Sequence, residues 1–275
     1  AEIVGIVSKE HSTFNADFKS LIPFAIENNI PYLNFLNNEQ LSEWLSCLEY
    51  DVIYCFGWSH LLPLNIIKTA KLGAIGYHPA LLPENRGRHP IIWALALGLE
   101  KTGSTFFFMD EGADSGDIVS QVKVRIEKHD TAMDLYKKLM DVAKKQVIQF
   151  TKELMQGSLT PIPQDHQKAN YWRKRTKQDG LIDWRMTSES IYNLVRALSE
   201  PYVGAHCCYN DHDYKIWKVS IEDMNKFNVK QNIEPGKVIK VFQNKNSFIV
   251  KTGDGIIEVL QHEFKNLPKE GEYLI

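Results

Sequence analysis

The sequence predicts an α/β protein with an open, doubly wound parallel sheet, followed by a smaller β domain. In the first half, short β-rich runs alternate with segments whose apolar residues recur at helical spacing, which is typical of a parallel sheet with crossover helices. In the last third, short apolar runs follow one another between turn residues, which indicates a small barrel or sandwich.

The alternating half begins with a buried strand over 3–7. Further along, Asn37 and Asn38 are candidate caps of a helix, because a short side-chain amide can accept from the free N–H groups at a helix start. The predicted elements are, in order, a helix over 14–29, a strand over 32–36, a helix over 39–48, a strand over 52–56, a helix over 64–70 and a strand over 74–78.

A proline-rich, polar loop over 79–87 leads into an apolar helix over 91–97, two strands and one long helix. The strands cover 104–109 and 118–126, the long helix covers 132–155, and a further helix with Thr187 or Ser188 as its cap covers 188–198. The polar, basic stretch over 156–183 predicts a linker that lies across a surface. We therefore expect a catalytic domain over 1–160, a linker and helix over 161–204, and a β domain over 205–275.

The charge balance is nearly neutral, with 32 lysines and arginines against 34 acidic residues and a net charge of -2. Proteins that hold nucleic acid mainly through its phosphates usually carry a basic excess, so we expect no nucleic-acid partner. No apolar run approaches the roughly 18 residues of a membrane span, and the first residues do not predict a signal peptide. The four cysteines show no CxxC spacing, which favours a reduced, cytoplasmic setting.

Ligands of open α/β sheets bind beyond the carboxyl ends of the strands, so the loops after residues 56, 78 and 109 are candidates for a site. The loop over 56–63 offers a glycine, a tryptophan and exposed backbone, although an ordinary turn before a helix explains it as well. The loop over 109–117 is acidic but lacks the spacing of a calcium loop, and we expect no metal. No GxGxxG or GxxxxGK[ST] pattern supports a dinucleotide or P-loop enzyme.

The loop after residue 78 starts with a histidine at the predicted end of a strand and reads HPALLPENRGRHP. Imidazole changes its charge near neutral pH, so His78 is a candidate acid, base or oxyanion donor. The prolines and the glycine make the following segment stiff and rich in turns. A purely structural histidine is the alternative.

HPALLPENRGRHP and the later TGSTFFFMDEGADSGDIVSQ together resemble the formyltransferase family that uses 10-formyltetrahydrofolate, whose core reads N-x-H-P-S-L-L-P, then T-G-x-T, then D-x-G-x-D-x-G-x-I. RKRTKQDGLIDW, SIYNLVRAL and the C-terminal strands are similar to the longer members, which have a small OB-like domain. The resemblance implies a Rossmann-like formyltransferase core. Within the family the chain looks most like the sugar-nucleotide N-formyltransferases, including the enzyme of pseudaminic acid biosynthesis.

The resemblance also implies roles for individual residues. His78 and Asp114 match the catalytic histidine and aspartate of the family, and the segment over 58–62 matches the one that holds the pterin ring through backbone groups. The residues so implied to bind 10-formyltetrahydrofolate, the formyl donor, are Trp58, His60, Leu61, Leu62, Asp110, Gly112 and Asp114. The family's third catalytic residue, an asparagine two positions before the histidine, is replaced by Gly76, and Asn85, a water or a substrate group are the alternatives for its hydrogen bond.

Formyl transfer needs a neutral amine that attacks the formyl carbon. An imidazolium at His78 would stabilise the oxyanion that forms, and Asp114 would favour that charged form and accept the proton of the amine. Guanidinium groups suit a diphosphate and aromatic rings stack on a base or sugar. The candidate acceptor-binding residues are Tyr77, Asn85, Arg86, Arg88 and Arg175, each with a solvated surface position as the alternative.

The expected function is therefore transfer of a formyl group to the amine of a UDP- or dTDP-linked 4-amino-4,6-dideoxy sugar. Methionyl-tRNA formylation is the nearest alternative, and the net charge counts against it. A non-catalytic module that binds folate or a sugar is an alternative of another class. The sequence leaves the base, the position of the amine and the choice between a monomer and a homodimer open.

Overall fold

The computed structural model of the protein describes residues 1–12, 18–58 and 62–275. The described chain forms two compact units. The first comprises Ala1–Pro90, Thr102–Val124 and Lys138–Trp172, and the second comprises Ile91–Lys101, Arg125–Lys137 and Arg173–Ile275. The domain boundaries given above stay a prediction.

Strands and helices alternate through the first half of the chain, as the sequence predicts. The elements are β1 (Ile6–Ser8), α1 (Ile22–Glu27), β2 (Tyr32–Asn34), α2 (Asn38–Ser46), β3 (Ile53–Cys55), α3 (Leu64–Ile67), β4 (Ala74–His78), β5 (Arg86–Gly87), α4 (Pro90–Ala96), β6 (Lys101–Phe108), β7 (Ile118–Arg125), α5 (Ala132–Gln156) and β8 (Tyr171–Trp172). Asn37 caps α2, because its side chain accepts from the amide of Gln40 at 2.8 Å. Of the two asparagines proposed as caps, it is therefore the first that serves.

The first helix is shorter than predicted. It begins at Ile22, and residues 18–21 are not helical, while residues 13–17 lie outside the described part of the chain. Pro23 explains the late start. Proline is accommodated in the first turn, where an N–H is not needed, but in the interior of a helix over 14–29 it would clash with the preceding turn.

The strands of the first unit form one four-stranded mixed sheet and two short parallel pairs, β1 with β2 and β5 with β8. β1 and β2 are parallel, as are β3 and β4, and the four-stranded sheet has the order β3-β4-β6-β7. β6 runs antiparallel to β4, which departs from the all-parallel sheet that was expected. The neighbours β6 and β7 also depart from a parallel arrangement, because their nine-residue connection is too short for the helical crossover that a parallel pair requires.

A buried apolar core packs against β4. Ile75 and Phe106 are buried neighbours on β4 and β6, and Phe150 of α5 packs on Phe106 with ring centroids 5.0 Å apart. A residue at the carboxyl end of β4 is consequently carried by a rigid strand.

The second unit contains the antiparallel β domain. Its remaining elements are α6 (Ser188–Leu198), β9 (Ala205–Tyr209), β10 (His212–Glu222), β11 (Val238–Phe242), β12 (Ser247–Lys251) and β13 (Ile256–His262), with the sheet order β11-β12-β13-β10-β9. Thr187 caps α6 through the amide of Ser190. The predicted class, an α/β core plus a C-terminal β domain, is confirmed. Within the described ranges, no helix has both the length and the apolar character that crossing a membrane requires.

Candidate active site

The site is built around His78, the last residue of β4. Its side chain is almost entirely buried, and its Nε2 lies 2.7 Å from the backbone carbonyl oxygen of Asn85. A carbonyl oxygen can only accept a hydrogen bond, so Nε2 carries a proton. Nδ1 is the second ring nitrogen.

Asp114 faces that second nitrogen. Its Oδ2 lies 3.5 Å from Nδ1 of His78 and also accepts a 2.8 Å hydrogen bond from the amide of Gly87. The carboxylate is thus held by the main chain beside the imidazole. This pair can stabilise a developing negative charge and accept a proton.

The short ladder between β5 and β8 aims the Gly87 amide. The amides of Arg86 and Arg88 donate to the carbonyls of Asn170 and Trp172, both at 3.0 Å, and because strand residues alternate in direction, the amide between them points the other way. Gly87 has a φ of 102°, and a Cβ there would lie 2.4 Å from the carbonyl oxygen of Trp172. Only glycine fits this position.

The predicted donor-binding residues lie in two loops. Trp58 packs edge-on against Phe35 with ring centroids 4.6 Å apart, and Leu62 packs against the same apolar cluster. Asp110 accepts from the amide of Gly112 at 2.9 Å and from the hydroxyl of Ser115 at 2.6 Å, so it shapes its own loop. His60 and Leu61 lie outside the described residues, and their predicted role stays a prediction.

Two of the predicted acceptor residues surround His78. Tyr77 precedes it on β4, and its hydroxyl accepts from the hydroxyl of Ser104 at 3.3 Å. Asn85 contacts His78 through its backbone carbonyl rather than its side chain. Arg88 is half-buried, and its amide belongs to the β5–β8 ladder.

Arg86 is not on the surface, where a diphosphate ligand was expected. Its side chain is 2% exposed, and it donates to the Tyr171 hydroxyl at 2.9 Å and to Oε1 of Gln164 at 2.7 Å. Its Nη2 also lies 3.1 Å from Nδ1 of His166. The alternation of β5 turns this side chain inward, so the guanidinium is used inside the protein.

Arg175 lies in the second unit. Its guanidinium lies 4.5 Å from the ring centroid of Trp93 and donates to the carbonyl of Asp179. Partial burial lowers the pKa of this guanidinium. Its predicted contact with an acceptor stays a prediction.

Gly76 lies on β4 opposite Phe107 of β6. A Cβ on Gly76 would come within 2.9 Å of Cζ of Phe107 and 3.2 Å of Cγ of Met109. Apolar side chains therefore fill the space into which a longer residue at position 76 would project.

Two residues beside the pair were missed from the sequence, Gln164 and Asn170. Both lie in the stretch interpreted as a surface linker, yet Gln164 is buried and Asn170 contacts Asn85. Polar residues in a polar, basic stretch predict solvent exposure, so no pattern in the sequence indicated either one. Among the described residues, no group of three or more His, Cys, Asp or Glu side chains is arranged to hold a metal ion.

The family comparisons cover both parts of the chain. Residues 2–151 match the formyl transferase family model, and residues 174–270 match the model of the formyl transferase C-terminal domain. A methionyl-tRNA formyltransferase of Carboxydothermus hydrogenoformans is 36% identical over 239 residues, which are 86% of this chain and 75% of that protein.

Solved structures share the fold at low sequence identity. HypX from Aquifex aeolicus has a TM-score of 0.69 at 17% identity over 95% of this chain, which spans 46% of the HypX chain. An N-formyltransferase from Helicobacter canadensis, in complex with folinic acid and dTDP-3-aminofucose, has a TM-score of 0.68 at 17% identity and covers 95% of this chain and 100% of its own.

Proposed function

The chain belongs to the formyl transferase family, whose members are enzymes that transfer formyl groups and use 10-formyltetrahydrofolate. From this premise we propose that it formylates the amine of a UDP- or dTDP-linked 4-amino-4,6-dideoxy sugar. The observation that carries the proposal is the pair formed by buried His78 and half-buried Asp114, with Oδ2 3.5 Å from Nδ1. The pair combines a cationic donor and a carboxylate base, which are the two groups that the reaction needs.

The proposed reaction begins when the neutral amine attacks the formyl carbon and forms a C–N bond. His78, protonated on both nitrogens, stabilises the oxyanion of the tetrahedral intermediate, and Asp114 accepts the proton that the amine loses. The intermediate then collapses as the bond from the formyl carbon to N10 of the donor breaks, and N10 takes up the proton that Asp114 accepted, which restores the carboxylate. The enzyme forms no covalent bond to the formyl group at any step.

The donor is proposed to lie against the two loops that flank the pair. Trp58, His60, Leu61 and Leu62 would bind the pterin from one side, and the loop with Asp110 and Gly112 from the other. In support, the Asp110 loop is already closed by its own hydrogen bonds, so little conformational entropy would be lost on binding.

Charge distribution favours a small acceptor. The basic residues of the connection after β8 are largely neutralised within the second unit: Arg173 pairs with Asp179, Lys177 with Asp213 and Arg185 with Asp183. Neutralised cations contribute little to binding a polyanion such as tRNA, whereas one diphosphate needs only one or two cations. Tyr77, Asn85 and Arg88 remain the proposed acceptor ligands in the first unit, and the contact predicted for Arg175 of the second unit stays a separate prediction.

Methionyl-tRNA is the second candidate acceptor, because a methionyl-tRNA formyltransferase is 36% identical to this chain. The two acceptors predict different effects of ionic strength on the rate of formyl transfer. Transfer to tRNA falls steeply with salt because phosphate contacts release counterions, whereas transfer to a sugar nucleotide changes little.

The experiment is mass spectrometry of the purified protein with 10-formyltetrahydrofolate and a panel of UDP- and dTDP-linked 4-amino sugars, with methionyl-tRNA in a parallel reaction. A formyl group gained by one sugar nucleotide, and lost with Asp114→Asn, is the expected result. Formylation of the tRNA alone would select the second candidate. Donor binding without transfer to any amine would indicate the non-catalytic module.

A further inference from the structure

Gln164 clamps the loop that carries Asp114. Its Nε2 donates to the carbonyl of Asp114 at 3.0 Å and to the carbonyl of Gly116 at 2.6 Å, while its Oε1 accepts from Arg86. One side-chain amide therefore closes both sides of the turn that presents the carboxylate. Because Gln164 is 6% exposed, these bonds form away from competing water.

Asn170 holds the residue that contacts the other ring nitrogen of the pair. Its Oδ1 accepts from the amide of Asn85 at 2.7 Å, and its Nδ2 donates to Oδ1 of Asn85 at 3.3 Å. The carbonyl of Asn85 is the group that lies 2.7 Å from Nε2 of His78. Asn170 therefore contacts the imidazole of His78 only indirectly, through Asn85.

The two clamped residues share an uncommon backbone conformation. Asn85 has a φ of 64° and Asp114 a φ of 56°, both in the left-handed region that L-residues rarely adopt. Such conformations persist where surrounding contacts enforce them, and they concentrate at functional sites. Here the enforcing contacts come from one segment, residues 164–171. Arg86 anchors this segment through hydrogen bonds to Gln164, His166 and Tyr171.

We propose that this segment is a positioning strap, in which Gln164 sets the place of Asp114 and Asn170 sets the place of His78. The proposal rests on the catalytic role that the proposed function gives to the pair. Neither strap residue touches the reacting atoms. Each acts through a backbone carbonyl or amide, and a small displacement of the pair lowers the rate because transfer depends on orientation.

The first test concerns Asn170, which is exposed, so its substitution leaves folding intact. Asn170→Ala removes both bonds to Asn85, whereas Asn170→Asp keeps the acceptor for the Asn85 amide. We expect Asn170→Ala to lower kcat about 10- to 100-fold without changing the KM of the donor, and Asn170→Asp to restore most of the rate. Gln167→Ala, an exposed change in the same segment, is the matched control and should be fully active.

The second test concerns Gln164. Gln164→Glu keeps the acceptor for Arg86 but loses both donated bonds to the Asp114 loop. We expect a lower kcat with an unchanged unfolding temperature. Wild-type activity in Gln164→Glu would overturn the strap. So would a lower unfolding temperature that accompanies the rate loss in both Gln164→Glu and Asn170→Ala, because general destabilisation would then explain the loss.

A third readout needs no turnover. In protein labelled with ¹⁵N-histidine, the imidazole signals of His78, identified by their loss in His78→Ala, should shift in Asn170→Ala and return in Asn170→Asp. A protein that transfers formyl to no amine contradicts the proposed function, yet this shift still tests the strap. An unmoved His78 signal in Asn170→Ala contradicts the strap whatever the activity of the wild type.

Discussion

The amide nitrogen of Gly87 donates to Oδ2 of Asp114 at 2.8 Å, so a backbone group, not a side chain, holds the carboxylate beside His78. The direction of that amide is fixed by the ladder on either side of it. The position of Asp114 therefore depends on strand pairing as much as on its own loop.

Loss of either member of the pair should lower turnover strongly. His78→Ala and Asp114→Asn are each expected to reduce kcat about 10²- to 10⁴-fold, the range for a single acid–base group. Steady-state kinetics with the reactive amine measure this, and the thermal unfolding temperature of each variant serves as the control for folding. Near-normal rates in either variant would contradict the role assigned to that residue.

Gly87→Ala should disconnect the ladder from the carboxylate. The new Cβ would overlap the carbonyl oxygen of Trp172, so β5 must move and the amide must leave Asp114. We expect a kcat about 10- to 100-fold lower. Gly157→Ala is the matched control: its φ is 64° and nothing lies within 4 Å, so it bears only the backbone cost of about 1–2 kcal/mol. Equal activity losses in both variants would assign the effect to backbone strain alone.

An asparagine at position 76 should not fit the present core. Gly76→Asn pushes on Phe107, which is buried, and overpacking typically costs about 1–3 kcal/mol. The double variant Gly76→Asn with Phe107→Leu should recover part of that loss, because the shorter side chain opens the space. Urea unfolding of the two single variants and the double variant measures the coupling. Strictly additive effects would show that the two positions do not compete for the same volume.

Stability should fall on mild acidification because of His206. Burial lowers the pKa of this imidazole, with the charge of Lys215 adding to the effect, and burial also lowers the pKa of His262. The unfolded chain, with a histidine pKa of about 6.5, then binds more protons than the folded one, so stability is present above that pH and is lost as the pH falls below it. Thermal unfolding between pH 7.5 and about pH 5 measures the loss. His206→Gln should flatten the profile, and an unchanged slope would exclude this histidine as a cause.

The residues proposed as catalytic could be placed on the fold from the sequence, but the residues that hold them could not. His78 could be placed because the apolar run over 74–78 ends there, and β4 covers Ala74–His78 as predicted. The first helix was predicted too long because the helical spacing of its apolar residues was given more weight than Pro23. Gln164 and Asn170 could not be found, because their partners are backbone groups 48 to 85 residues away, and such contacts leave no periodic pattern.

The pairing of β5 with β8 can form only after β8 has been translated. Asn85 is translated 85 residues before Asn170, and at 5–20 residues per second the ribosome needs roughly 4 to 17 s to cover that distance. Asp114 is made within this interval, and until residues 164–171 follow, the nascent chain holds both proposed catalytic residues without the segment that positions them. Chemical competence would thus arrive late in translation, and a chain terminated prematurely before residue 164 would carry both groups in an inert arrangement.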